Sequence, residues 1–224
     1  PLAPVLLAVS VFLLLLVPII GIEEGGAMRW INVFGIPTFQ PSEIAKLGVV
    51  LIFAAMISSF RERMQTFRYG VLPFAAILLV IAGLLALEPH LSATLIILAT
   101  GAVMMFLGGT QKRWFALGLV VVAAAGFLYL KFFGYAGDRL TAWLDPFSDP
   151  SDNGYQIVQS LYAIGSGGLM GLGFGRSRQK YLYLPEEHND YIFSIIWEEL
   201  GFVGAMLIIL LFVLLIVRGY WISM

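Results

Sequence analysis

The chain has 224 residues, is 60% hydrophobic with a mean hydropathy of +0.91, and carries only 12% Asp, Glu, Lys and Arg for a net charge of −1. That much charge cannot clothe a soluble domain of this size, and the lack of a basic field argues against nucleic acid as a partner. There is no cysteine, which excludes disulfides, thiol chemistry and a Cys-ligated metal.

Six apolar stretches, at about residues 2–21, 43–59, 70–87, 91–107, 114–133 and 191–217, predict membrane-spanning helices. The expectation is an all-α polytopic bundle forming one integral membrane domain over residues 1–224. About 20 residues of helix cross the hydrocarbon, so the second, third and fourth stretches are short and the last is long enough to tilt. The runs are continuous rather than alternating, which argues against a β-barrel. The opening stretch, PLAPVLLAVSVFLLLLVPIIG, lacks a basic segment before it. The chain begins and ends against apolar segments, so it reads as a piece of a longer membrane protein.

After the first span comes a charged group, EEGGAMRWINVFGIPTFQPSEIAK. Pro41 suits a first helical turn, with Ser42 and Glu43 beside it. Lys46 lies three residues past Glu43, on the same face. Arg29 stands next to Trp30, a residue type favoured at membrane interfaces. Two readings stay open for Arg29 and Lys46. They are interfacial or snorkelling anchors, or they form a cationic site for a diphosphate.

Loop charge sets the expected orientation. The 60–69 loop carries Arg61, Arg63 and Arg68, the next loop on that side carries Lys112 and Arg113, and Arg218 follows the last span. The opposing LEPHLS turn has no Lys or Arg, and its Glu88 and His90 read as a local polar contact. With six spans, the basic loops face the cytoplasm and the 134–190 loop faces outward.

That outer loop is too long to be a bare connection. LDPFSDPSDNG is turn-rich, and a short helix is expected around 155–164. The glycines from Gly165 to Gly175 permit tight turns or close approach of a ligand. Arg139, Arg176, Arg178 and Lys180 are its cations, fit for a head group, an anionic-lipid anchor or water. The segment YLPEEHNDYIFSIIWEELGFVG then gathers acid against an apolar run. Asp190 is either an N-cap of the last helix or a general base at the membrane surface. Glu186, Glu187 and His188 offer oxygens and one imidazole to a divalent cation, or form a solvated rim. Glu198 and Glu199, about 12 Å deeper along a helix axis, need hydrogen-bonding or charged partners at that depth.

These same residues carry a resemblance. GGAMRWINVFGIPTFQPSEIAKL and DRLTAWLDPFSDP…GYQIVQSLYAIGSGGLMGLGFGRSRQKYLYLPEEHNDYIFSIIWEELGFVG resemble the SEDS proteins of bacterial shape, elongation, division and sporulation, nearer the FtsW and SpoVE branch than the RodA branch. The resemblance implies a ten-helix fold of which this chain holds the third to eighth helices. It implies polymerisation of lipid II into peptidoglycan strands at the outer face of the bacterial cytoplasmic membrane. It places the catalytic aspartate on Asp190 and the diphosphate-binding cations on Arg29, Lys46 and Lys180. Glu43, His188, Glu198 and Glu199 are supporting polar residues. A divalent cation, Mg²⁺ or Mn²⁺, is implied, with its ligands unassigned. The implied partners are lipid II, undecaprenyl-linked glycan, a class B penicillin-binding protein and other membrane proteins of division, elongation or sporulation.

The pattern departs from the family at His90 and Ser92, where Asp and Gly are more usual, at Asn189 in place of Thr, and at the bulky Trp197. Two rival expectations use the same residues: a lipid II flippase and a noncatalytic scaffold for cell-wall enzymes.

Overall fold

The structure, a computed structural model, describes residues 2–24, 27–32, 38–88, 91–132, 142–152, 154–181, 183–185 and 190–223; side chains at 24, 27, 125, 127–132 and 223 stand outside that description. His90, Arg139, Glu186, Glu187, His188 and Asn189 therefore lie outside the described residues.

Helix α1 (Leu2–Ile20) leads into an antiparallel hairpin, β1 (Ile22–Glu24) with β2 (Ala27–Trp30). An isolated bridge between Ile31 and Phe39 extends the pairing towards α2 (Pro41–Phe60). Pro41 opens α2, where its missing N–H costs nothing. A 3-10 turn (Arg61–Gln65) and α3 (Phe67–Gly70) precede α4 (Leu72–Leu87), α5 (Leu91–Leu107) and α6 (Lys112–Phe132). Helices α7 (Tyr155–Gly167) and α8 (Ile192–Ser223) follow. The helix expected around 155–164 is α7.

The expectation of six spans is corrected. Among the described residues, four helical stretches are long and apolar enough to cross a membrane: Leu2–Ile20, Pro41–Gln65, Phe67–Leu87 and Ile192–Ile222. The stretch expected at 91–107 is an apolar helix of 17 residues. At 1.5 Å per residue it reaches about 25 Å, roughly a turn short of the ~30 Å hydrocarbon. The stretch expected at 114–133 is α6, which opens on Lys112 and Arg113 and whose second half is mostly outside the side-chain description. Nothing in the described residues carries a ten-helix count.

The chain divides into two compact units, residues 1–123 and 124–224. In the first, α1, α2, α4 and α5 pack around Leu14, Val49, Phe53, Phe74, Ile81, Leu85 and Ile97. Phe53 meets Phe74 edge-on, with ring centroids 4.7 Å apart at 86°. The Thr110 hydroxyl donates to the Gly70 carbonyl at 3.1 Å, and the Phe67 and Trp114 rings lie 4.8 Å apart. These contacts fasten the 61–70 and 108–114 segments to one end of the unit. The hairpin and the start of α2 occupy the opposite end, to which α4 returns at Glu88.

In the second unit α7 packs on α8. Val158, Ala163, Leu184, Ile195 and Ala205 are buried, whereas α8 from Leu207 to Ile222 is largely exposed apolar surface. Such a face is suited to lipid or to neighbouring helices.

Candidate functional site

At the hairpin end of the first unit, β2 carries Arg29. Its Nε is buried and has no hydrogen-bond partner. The first turns of α2 present Glu43 and Lys46, whose charged groups pair at 2.7 Å. The sequence spacing placed them on one face, and the helix brings them into contact. Glu88 lies just past the span ending at Leu87 and is 2% exposed. Neither of its carboxylate oxygens has a hydrogen-bond partner. Burial pushes its pKa from 4.5 up to about 7, and the nearby Arg29 charge opposes that rise.

In the second unit, Asp190 precedes α8 by two residues and is exposed. Its carboxylate pairs with no described residue through a hydrogen bond or an ion pair, so the cap bond considered for it is not formed. Glu198 and Glu199 are differently placed. Glu198 is 1% exposed, and its carboxylate accepts the Ser177 hydroxyl together with the Arg178 and Gln179 amides at 3.1 and 3.3 Å. Glu199 accepts the Gly175 and Ser177 amides at 2.9 and 3.2 Å and the Lys180 ammonium at 2.8 Å. That bond holds the Lys180 pKa above its ordinary value of 10.5. Two acids that would be costly at this depth alone are satisfied by the loop that folds over them.

The loop is held by backbone as well. Within α8, Gly201 has φ 69 and ψ −172, which breaks the helix. The break leaves carbonyls and amides for the loop. Leu172 and Gly173 donate to the Glu198 and Glu199 carbonyls at 2.9 and 3.0 Å, while Phe202 and Val203 donate to Gly168 and Leu169 at 2.9 and 3.2 Å. A Cβ on Gly171 would strike the Glu199 carbonyl, and one on Gly201 would strike the Gly171 amide. The glycines therefore serve close approach of backbone to backbone.

The structure thus groups Arg29, Glu43, Lys46 and Glu88 at one end of the first unit, and Lys180, Glu198 and Glu199 in one network of the second. His188 lies outside the described residues. Sequence reasoning missed Glu88, passed over as a local polar contact, and Ser177, whose signal was a serine inside the basic run RSRQK. The described carboxylates do not place the divalent cation implied by the resemblance, and its candidate ligands Glu186, Glu187 and His188 lie outside the described residues. Glu198 and Glu199 already hold amides, two hydroxyls and an ammonium, Glu43 holds Lys46, Glu88 and Asp190 have no described hydrogen-bond partner, and among the described residues no group of three or more His, Asp or Glu is arranged to hold a metal ion.

The FtsW/RodA/SpoVE family, described as cell cycle proteins, matches residues 1–224. A probable peptidoglycan glycosyltransferase FtsW of Geobacter sp. (strain M18) is 42% identical over 93% of this chain and 57% of its own length. Stage V sporulation protein E of Bacillus subtilis is 39% identical over 98% of this chain and 60% of its own. The chain thus spans little more than half of these curated relatives.

A solved structure described as structural coordination of polymerization and crosslinking by a peptidoglycan synthase complex superposes with a TM-score of 0.73 at 33% identity, covering 97% of this chain and 60% of that one. The rod shape determining protein RodA of Thermus thermophilus superposes at 0.58 with 30% identity, covering 97% of this chain and 54% of that one. The higher identities to FtsW and stage V sporulation protein E agree with the branch read from the motifs. The chain belongs to the FtsW/RodA/SpoVE family of cell cycle proteins, multi-pass membrane proteins tied to peptidoglycan synthesis.

Proposed function

We propose that the protein from which this chain comes polymerises lipid II into glycan strands at the outer face of the bacterial cytoplasmic membrane. The observation that carries this reading is Asp190: an exposed carboxylate without a described partner, at the start of a long apolar helix. A lipid-linked substrate presents its sugars at that depth, and a general base must come within hydrogen-bond reach of the hydroxyl it serves.

In the proposed reaction Asp190 accepts the proton of the acceptor's GlcNAc 4-hydroxyl. That oxygen bonds to the anomeric carbon of the donor MurNAc. The bond from that carbon to the diphosphate oxygen breaks with inversion, and undecaprenyl diphosphate leaves. Among the candidate cations, Lys46 and Lys180 are already paired with Glu43 and Glu199, whereas the buried Nε of Arg29 has no partner. Arg29 is therefore the first choice for stabilising the leaving charge, with Lys46 and Lys180 as reserve cations. The proposed partners are a class B penicillin-binding protein, which cross-links the strands, and other membrane proteins of division or sporulation.

The test uses the full-length protein in liposomes with its penicillin-binding partner, fluorescent lipid II and Mg²⁺ or Mn²⁺. Wild type is expected to make glycan chains on a gel, and Asp190→Ala to lose at least about 100-fold in rate while remaining folded. Normal polymerisation by Asp190→Ala would remove Asp190 from its role. No chains from either folded protein would favour transport or scaffolding.

A further inference from the structure

We propose that Glu88 is a positioning residue that sets the anion affinity of Arg29: ionised, its carboxylate engages the guanidinium internally, and neutral, it leaves the full cationic charge to a lipid-linked diphosphate. This rests on the reading of Arg29 as a diphosphate cation. The geometry that supports it is a pair of unsatisfied groups. Glu88 is 2% exposed with both oxygens unpartnered, Arg29 has a buried and unpartnered Nε, and the two interact electrostatically without a hydrogen bond between them. Buried polar atoms are rarely left unpaired in a finished structure. An arriving diphosphate supplies the acceptors that the guanidinium lacks.

The hairpin that carries Arg29 also bears Glu23, which is exposed, and Glu24, whose side chain lies outside the description. Helix α4 packs against α1, α2, α3 and α5. Helices α1 and α5 contain no charged residue. Helix α2 contributes Glu43 and Lys46, already paired with each other. Arg68 of α3 lies at the opposite end of α4. His90, two residues beyond Glu88, lies outside the described residues. Burial pushes the Glu88 carboxyl up to about 7, so its charge changes between pH 6 and pH 8. A diphosphate diester keeps a constant charge over the same range, so the probe contributes no shift of its own.

The experiment measures the dissociation constant for fluorescent lipid II at pH 6 and pH 8. It uses the full-length protein with its partner in liposomes, in an Asp190→Asn background that blocks turnover. Binding is expected to weaken about tenfold from pH 6 to pH 8 with Glu88 present. Glu88→Gln is expected to bind at both pH values as tightly as the Glu88 protein does at pH 6. An equal pH shift in the two proteins, or no shift in either, overturns the proposal. If Glu88→Gln does not fold, Arg29→Gln decides: loss of the pH shift supports the pairing, and survival of the shift overturns it. Chain formation by the wild type, read separately on a gel, reports on polymerisation. Chains without the pH effect sink only this inference, and a pH effect without chains sinks the polymerase reading alone.

Discussion

At the scale of single residues, the network around Glu198 shows how a membrane protein keeps acid beneath its surface. The carboxylate gathers a hydroxyl and two amides from residues 177–179, and Glu199 gathers two more amides and the Lys180 ammonium. Hydrogen bonds to a charged group contribute about 1.5–3 kcal/mol each, and truncation leaves the donors buried and unpaired. Glu198→Ala should therefore destabilise the protein by about 3 kcal/mol and loosen the loop over it. Arg176, Arg178 and Lys180 make that loosening visible to trypsin. Cleavage between residues 176 and 180 should accelerate at least about tenfold in Glu198→Ala, in line with local opening becoming easier. Cleavage at the wild-type rate would mean that the loop is held by other contacts. The sequence showed that Glu198 and Glu199 needed partners, because charge at that depth is costly. It could not name them, because the donors are mostly backbone amides, and every residue but proline offers the same one.

The element scale shows a similar division. Apolar runs placed α1, α2, α4 and α8, since a continuous stretch of about 20 apolar residues has few other stable states in lipid. The hairpin of residues 22–30 was not read, although EEGGAM carries a Gly-Gly dipeptide of the kind that favours tight hairpin turns. The break at Gly201 was also hidden. Its neighbours are apolar, and the groups that satisfy the broken turn come from residues 168–173. Gly171 is the position that lets those two backbones meet, at φ 76 and against the Glu199 carbonyl. Gly171→Ala should cost at least about 2 kcal/mol, combining a disfavoured backbone conformation with a backbone clash. Gly165, with open space where a Cβ would stand and no left-handed φ, is the matched control. Thermal melts in detergent should show a loss of several degrees for Gly171→Ala and little change for Gly165→Ala. Equal melting of the two variants would remove the close-approach account.

At the scale of the whole molecule, orientation depends on charge asymmetry, since the parity argument from six spans does not survive the count of four. The asymmetry has structural support within residues 1–123. Arg61, Arg63 and Arg68 lie in the 61–70 segment, Lys112 and Arg113 open α6, and the Thr110 to Gly70 hydrogen bond and the Phe67–Trp114 contact hold the two segments at one end. By the positive-inside rule, these five cations predict that this end faces the cytoplasm. The hairpin end, with Arg29, Lys46 and Glu88, is then expected to face outward, where a diphosphate-linked precursor is consumed in the proposed reaction. The absence of cysteine makes this directly measurable, because any introduced thiol is the only one in this segment. Glu23→Cys on β1 and Thr66→Cys beside the 3-10 turn are both exposed positions at opposite ends. With any cysteines outside this segment replaced, a membrane-impermeant maleimide applied to intact spheroplasts should label Glu23→Cys and leave Thr66→Cys unlabelled until the membrane is opened. Labelling of Thr66→Cys in intact cells would invert the topology. It would also put Arg29 on the wrong side for a polymerase that works at the outer face.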